Sequence, residues 1–186
     1  MENKELETRI IREVPKDDST SYGEKMLLYW LIRELKPKVV VETGTHRGLT
    51  ACYMAAAIKE NGIGHLITCD PNPEWYAHKN FLKFPELDPL VTFKLIRGKD
   101  LDVKNIDFFF CDGFHGINDV LEEVDALFPY LAKSAVVVFH DCWFNNSDGV
   151  NEAVEARGLH TIWLPTTNAM RIYSKHIPKP TGRQDL

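Results

Sequence analysis

Glycine and proline are sparse, 11 and 10 among 186 residues, which excludes collagen-like and linker-like chains. Long apolar runs are missing too. Residues 51–58 and 135–139 are among the longest, far below the roughly 18 residues of a transmembrane helix. The opening MENKELETRIIREV is charged throughout and lacks the apolar stretch of a secretory signal. A cytoplasmic protein without membrane partners is expected. Positive charge is in deficit, 22 Lys and Arg against 27 Asp and Glu. No basic stripe stands ready to displace counterions from phosphates, so nucleic acid is not an expected partner. Cysteine is scarce, and Cys52, Cys69, Cys111 and Cys142 never form a C-x-x-C pair. That argues against a thiolate zinc site and for buried, reduced thiols.

What remains is an ordinary globular composition, 44% hydrophobic and 11% aromatic, too apolar for disorder. One domain over 1–186 is expected, with a helical extension at 1–22 and a tail at 175–186. A chain of this size buries roughly 70% of the surface it exposes when unfolded. Helical and strand patterns alternate along it, the mark of an α/β fold. Helices are predicted at 23–35 and 48–60, within 74–83 and 118–131, and near 150–157. Strands are predicted at 38–43, 65–69, 91–96, 106–111, 135–140, 160–164 and 170–174. The last two are joined by Pro165-Thr166-Thr167-Asn168, too short for a helical crossover, so they must be antiparallel. The expected fold is a Rossmann-like, doubly wound sheet of seven strands, mostly parallel, ending in an antiparallel pair.

In such sheets ligands bind beyond the carboxyl ends of the strands. Five successive strand ends carry polar or glycine-rich residues: Glu42 to Gly48, Asp70, Gly98-Lys99-Asp100, Asp112 to His115, and His140-Asp141. Any one suits a turn or a helix cap; five together suggest a site. The first loop does not fit a dinucleotide. Glu42 stands where the G-x-G-x-x-G fingerprint opens on glycine, and Gly48 follows Gly44 by four residues rather than three. A carboxylate there would repel a pyrophosphate and suit a cationic ligand end. Asp70 closes the next strand, where a carboxylate can accept both ribose hydroxyls. Ribose, a cationic end and no phosphate describe S-adenosylmethionine. A side chain at Gly44 is expected to occupy that ligand's space.

VETGTHRGLT, CDPNP, IDFFFCDGFHG and VVVFHD, in this order, resemble the class I methyltransferases. The likeness is to the small O-methyltransferase branch with the pattern E-x-G-x-x-x-G, D, D-x-x-x-x-D-G-x-H and H-D or E-D. The resemblance implies that Glu42, Gly44, Thr45 and Gly48 form the methionine-side loop, with Asp70 on the ribose. It also implies Asp100 by the adenine and Asp112 at the cofactor. It further implies a divalent-metal site (Mg, Mn or Fe) at Asp112, His140 and Asp141, with His115 as general base beside a catalytic Asp112. The adenine segment departs from the commoner Gly-Asp-Ser/Ala, and His140-Asp141 departs from a carboxylate pair.

Methyl transfer from a sulfonium needs the acceptor oxygen aligned and its proton removed. A metal lowers a bound hydroxyl's pKa, and a histidine ligand favours manganese or iron over magnesium. The expected acceptor is a small hydroxylated molecule, a sugar, catechol or natural product. Competing readings are a non-catalytic adenosylmethionine-binding module and a nitrogen methyltransferase. Asp70-Pro71-Asn72-Pro73 resembles a D-P-P-Y motif, but it follows the second strand rather than the fourth. Plainer roles compete at single residues: a turn for Asp112, a cap or surface site for His115, a core histidine for His140. Trp75 and Tyr76 read as an adenine flank or a packing face, and Trp143 as a wall of the acceptor pocket. Leu6, Ile10 and Val14 have helical spacing suited to a lid or a homodimer contact.

Overall fold

The computed structural model describes residues 2–13, 19–72, 76–142 and 149–177. Val14, Trp75, the side chain of Tyr76, Trp143 and the tail from residue 178 lie outside the described residues. The described chain runs α1 (Glu2–Glu13), α2 (Tyr22–Leu35), β1 (Val39–Thr43), α3 (Leu49–Asn61), β2 (His65–Cys69), α4 (Tyr76–Phe81) and β3 (Val91–Lys94). It continues through β4 (Ile106–Cys111), α5 (Ile117–Leu127), β5 (Leu131–Phe139), α6 (Gly149–Ala156), β6 (Thr161–Leu164) and β7 (Met170–Ser174). None of these helices is long and apolar enough to cross a membrane.

The strands form one sheet in the order β3-β2-β1-β4-β5-β7-β6. The first five are parallel to their neighbours, and β7 runs antiparallel to both β5 and β6. This is the expected Rossmann-like sheet with its antiparallel finish. Successive side chains of a strand point to opposite faces, and both faces here are covered. Val40, Phe108, Phe110 and Val138 join the core with α1, α2 and α3. Val41, Phe109, Val137 and Phe139 join the core with α5 and α6. Burial on both faces is why these strands read as continuous apolar runs.

Two expectations shift. β5 starts at Leu131, not 135: Leu131 pairs with Ile106 across a register shift, and exposed Lys133 and Ser134 interrupt the apolar run. The first helix, expected as a lid or a dimer contact, turns its apolar positions Leu6 and Ile10 into the core. Leu6 and Ile10 are buried in the core shared with α3. Arg9 anchors the helix further, donating to Glu86 at 2.6 Å and to the Lys83 carbonyl at 2.9 Å. All four cysteines are buried and free, as expected.

Candidate active site

Chain order reverses between β1 and β4, and the sheet's register lines up the strand ends there. Thr43 pairs with Cys69 on β2 and Cys111 on β4, and Cys111 pairs with Phe139 on β5. Gly44, Asp70, Asp112 and His140 each come one residue later, so they emerge along one edge. Above that edge lies a cavity of about 350 Å³, within the range of small-ligand sites. Gly44, Thr45, Asp70, Asp112, His115 and Asp141 line it. Glu42, Gly48, Asp100 and His140 are not among the lining residues.

The wall after β1 is a turn built from backbone. Gly44 has φ of 83° and Gly48 of 74°, left-handed conformations that favour glycine. A Cβ on Gly44 would sit 1.9 Å from the Asp112 carbonyl oxygen. Gly44 is therefore required by the contact between two strand ends, not by the ligand's space. Asp70 organises the neighbouring loop, its two oxygens accepting from the amides of His46 at 2.9 Å and Asn72 at 2.8 Å.

Glu42 does not present a carboxylate to the cavity. It is 1% exposed and accepts from the Thr68 hydroxyl, which also meets that of Thr45 at 2.5 Å. Burial raises its pKa well above the ordinary carboxyl value, because a dry surrounding disfavours the charged form. Strand alternation puts Glu42 on the same face as Val40, beneath the loop. Asp100 is exposed; Arg97 and Gly98 of that segment reach the cavity instead.

The wall after β4 and β5 is ionic. His115 Nε2 lies 3.0 Å from Asp141 Oδ2 and 3.8 Å from Asp112 Oδ1. Hydrogen bonding to Asp112 and Asp141 lifts the His115 pKa to about 9. Burial alone would raise Asp141, but His115 and His140 hold it down at about 2. Donor atoms of Asp112, His115 and Asp141 all fall within 4.8 Å of one another, an arrangement able to hold a metal ion. His140 is absent from this set, contrary to the expected ligand role. Its side chain is fully buried, with Nδ1 at 2.9 Å from Asp112 Oδ1 and Nε2 at 3.4 Å from Glu24 Oε2. It backs the carboxylates from behind. Burial disfavours its charge, yet Asp112, Asp141 and Glu24 push its pKa up to about 12.

Two acids escaped the sequence reading. Glu123 of α5 lines the cavity, takes the Thr43 hydroxyl at 2.9 Å and lies against Gly98 and Gly113, where a Cβ would come within 2.6 Å of its oxygen. Burial raises its pKa to about 7. Its signal was an acid within the apolar stripe of Val120, Val124 and Leu127, all buried. Glu24 sits at 0% exposure in the capping box of α2, with Ser21 as N-cap. Burial opposes its charge, but bonds from His140, Asn168 and Ser21 hold its pKa well below the carboxylate range. The Ser21-x-x-Glu24 spacing marks a cap; nothing local points to His140. The first aspartate of D-x-x-x-x-D-G-x-H, Asp107, works at the opposite end of the sheet. It accepts from the amides of Lys38 and Val39 at 2.9 and 3.0 Å.

A family model described as a methyltransferase domain matches residues 41–142. That is more than half of the chain, from β1 to just past Asp141, and the chain belongs to this family. A rhamnosyl O-methyltransferase of Mycobacterium tuberculosis is 27% identical over 141 residues, covering 68% of this chain and 57% of that protein. The uncharacterized protein y4gI of Sinorhizobium fredii is 26% identical over 129 residues, 60% of this chain and 14% of that one. The chain thus spans little more than half of one curated relative and a small part of the other. Among solved structures, the SAH-bound methyltransferase PaMTH1 of Podospora anserina is similar with a TM-score of 0.71 at 14% identity, over 92% of this chain and 86% of that one. The O-methyltransferase TomG of Streptomyces achromogenes, in complex with SAM, gives 0.67 at 17%, over 94% and 99%. These two likenesses are of fold.

Proposed function

We propose that this protein transfers the methyl group of S-adenosylmethionine to a hydroxyl of a small molecule, aided by a divalent cation. One observation carries the reading: at a single cavity, a glycine turn and Asp70 face an acid-histidine cluster of Asp112, His115 and Asp141. The family match and the O-methyltransferase names of its relatives support it.

Bound S-adenosylmethionine supplies an electrophilic methyl group on a sulfonium. A bound cation supplies a Lewis acid that makes the acceptor hydroxyl easier to deprotonate. The donor set fits such a cation. Two carboxylate oxygens and one imidazole nitrogen are a mixed set that admits manganese or iron as well as magnesium. In this reading Asp112, His115 and Asp141 are the ligands, and His140 stands behind them. Asp70 has lone pairs left beyond its two backbone bonds and orients the ribose. Gly44 and Thr45 bring backbone close to the methionine end. Asp112, at the junction of the two walls, aligns the acceptor oxygen with the methyl group and takes up its proton on the carboxylate; His115 serves as that base only where its ring nitrogen is not given to the cation. Alignment carries much of the rate in a direct displacement.

The test combines binding and turnover. S-adenosylmethionine and its demethylated product at about a hundred times Kd should each add about 2.7 kcal/mol of stability, and NAD none. That corresponds to roughly 2–4 °C in Tm at this size. A panel of sugar and catechol diols, assayed with Mn²⁺, should yield methyl ethers. Chelator should stop turnover and leave the thermal shift. No shift with either sulfur ligand overturns the cofactor assignment. Full turnover in excess chelator overturns the cation and leaves His115 as sole general base.

A further inference from the structure

The acids and histidines at the end of β5 do not stop at the cavity wall. Behind Asp112 lies the fully buried His140 ring, edge-on to Phe110 at a centroid distance of 5.7 Å, and behind that lies Glu24. Glu24 comes from a different part of the chain. It closes the capping box of α2 by accepting from the Ser21 amide at 2.7 Å, and it accepts from the Asn168 amide, in the β6–β7 turn, at 2.8 Å. The Asn168 side chain in turn donates to the Ser19 carbonyl, and Ser19 and Thr20 line the cavity. One buried carboxylate therefore joins the cavity's N-terminal rim, the β6–β7 turn and the rear of the ionic wall.

We infer that Glu24 is a positioning residue: its carboxylate, at ion-pair distance from His140 Nε2 (3.4 Å), holds the ring by charge so that Nδ1 faces Asp112, and so fixes the carboxylate oxygens that face the cavity. This rests on the reading of Asp112, His115 and Asp141 as cation ligands. A ring left alone can flip, and the flip would turn Nδ1 away from Asp112. A carboxylate on the far nitrogen removes that freedom. Partners behind a metal ligand characteristically change metal affinity 10–100-fold when removed. A buried ion chain also carries a large desolvation cost, which a pure helix cap would not require, since exposed caps serve as well.

The experiment is a double-mutant cycle on the full chain, with Mn²⁺ alone as one titrant and S-adenosylhomocysteine as the other. Mn²⁺ binding is read from the loss of the free-ion electron paramagnetic resonance signal, and S-adenosylhomocysteine binding by calorimetry. Glu24→Gln keeps the size of the side chain and removes its charge; the single remaining acceptor can serve either Ser21 and His140, which share Oε2, or Asn168 at Oε1. The substitution should weaken Mn²⁺ at least tenfold and leave S-adenosylhomocysteine within about twofold. His140→Asn should weaken Mn²⁺ similarly. In that background Glu24→Gln should do nothing further, because a residue acting through His140 has nothing left to act on. The double variant also lacks the unpaired imidazolium, so it serves where the single Glu24 variant fails to fold. Glu24→Gln binding Mn²⁺ as tightly as the parent overturns the inference. So does a parallel loss of both titrants, the sign of a collapsed site, or an added loss in the double variant. A parent that takes up no Mn²⁺ overturns the cation reading itself, a result distinct from all of these.

Discussion

Glu24 and Glu42 are the same side chain at nearly the same burial, 0% and 1% exposed. Their protonation goes opposite ways. Glu42 has a hydroxyl for company and is pushed up; Glu24 has His140 and two backbone amides and is held down. Burial alone neutralises a carboxyl, and a partner with charge to offer keeps it ionised. The contrast extends to the two walls. After β1 the protein uses backbone, glycine and hydroxyls, the materials for holding a ligand by shape. After β4 and β5 it keeps Asp112, His115, His140 and Asp141 within salt-bridge distance of one another, the materials for holding charge.

The largest effect is expected where the walls touch. Gly44→Val places a Cβ 1.9 Å from the Asp112 carbonyl oxygen at φ of 83°, so both backbone strain and steric overlap act at once. Denaturant unfolding should show a loss above about 4 kcal/mol, among the largest single-residue effects. A variant as stable as the parent that fails only to bind ligand would mean the side chain meets ligand space and not backbone.

Next comes the ionic wall alone. Asp141 sits at φ of 55°, a conformation asparagine tolerates better than alanine. Asp141→Asn therefore isolates charge from strain. Turnover should fall roughly a thousandfold, the several kcal/mol that a Lewis acid supplies, while the adenosylmethionine thermal shift persists. Equal loss of both would merge the two walls into one functional unit.

Glu123 tests whether the cavity floor follows the Glu42 rule. Burial lifts it from 4.5 to about 7, so the native state keeps a proton that the unfolded chain releases. Its contribution to stability is fully present below about pH 4.5 and is lost as pH climbs to about 7. The shift corresponds to a loss on the order of 3 kcal/mol. Glu123→Gln should remove this pH dependence, making the variant gain on the parent between pH 5 and pH 8 in chemical unfolding. Parallel stability curves for the two proteins would show that Glu123 is ionised throughout.

The contrast between walls was only partly legible in the sequence. Apolar strands bounded by polar residues are local features, and parallel register makes their ends converge, so the edge carrying Asp70, Asp112 and Asp141 could be read directly. Side-chain direction could not. Glu42 and Thr43 are consecutive and point to opposite faces, and the motif alone does not say that both are buried beneath the cavity edge. His140 reads like a ligand because Asp141 follows it; only α2, more than a hundred residues earlier in the chain, reveals the carboxylate behind it. Glu123 was hidden for the converse reason, an acid in a helix whose partners Thr43, Gly98 and Gly113 lie on three other segments.

The smallest predicted effect concerns Asp70, the carboxylate that the wall of backbone and hydroxyls presents to the cavity. Each of its oxygens already accepts one amide, from His46 and from Asn72, and each keeps a lone pair for a hydroxyl. Asp70→Ala loses both ligand bonds and loosens both backbone anchors. S-adenosylhomocysteine affinity should fall by about 2 kcal/mol, roughly 30-fold, within the range for hydrogen bonds to a charged group. Asp70→Asn separates the two contributions. Its remaining carbonyl oxygen can keep one anchor and one hydroxyl, and its amide, a donor, must turn away from whichever backbone N–H it faces. Calorimetry should place the asparagine variant between parent and alanine, with Mn²⁺ binding unchanged in both. An alanine variant that binds as tightly as the parent would leave Asp70 a loop anchor only, and the ribose would belong elsewhere on the same edge.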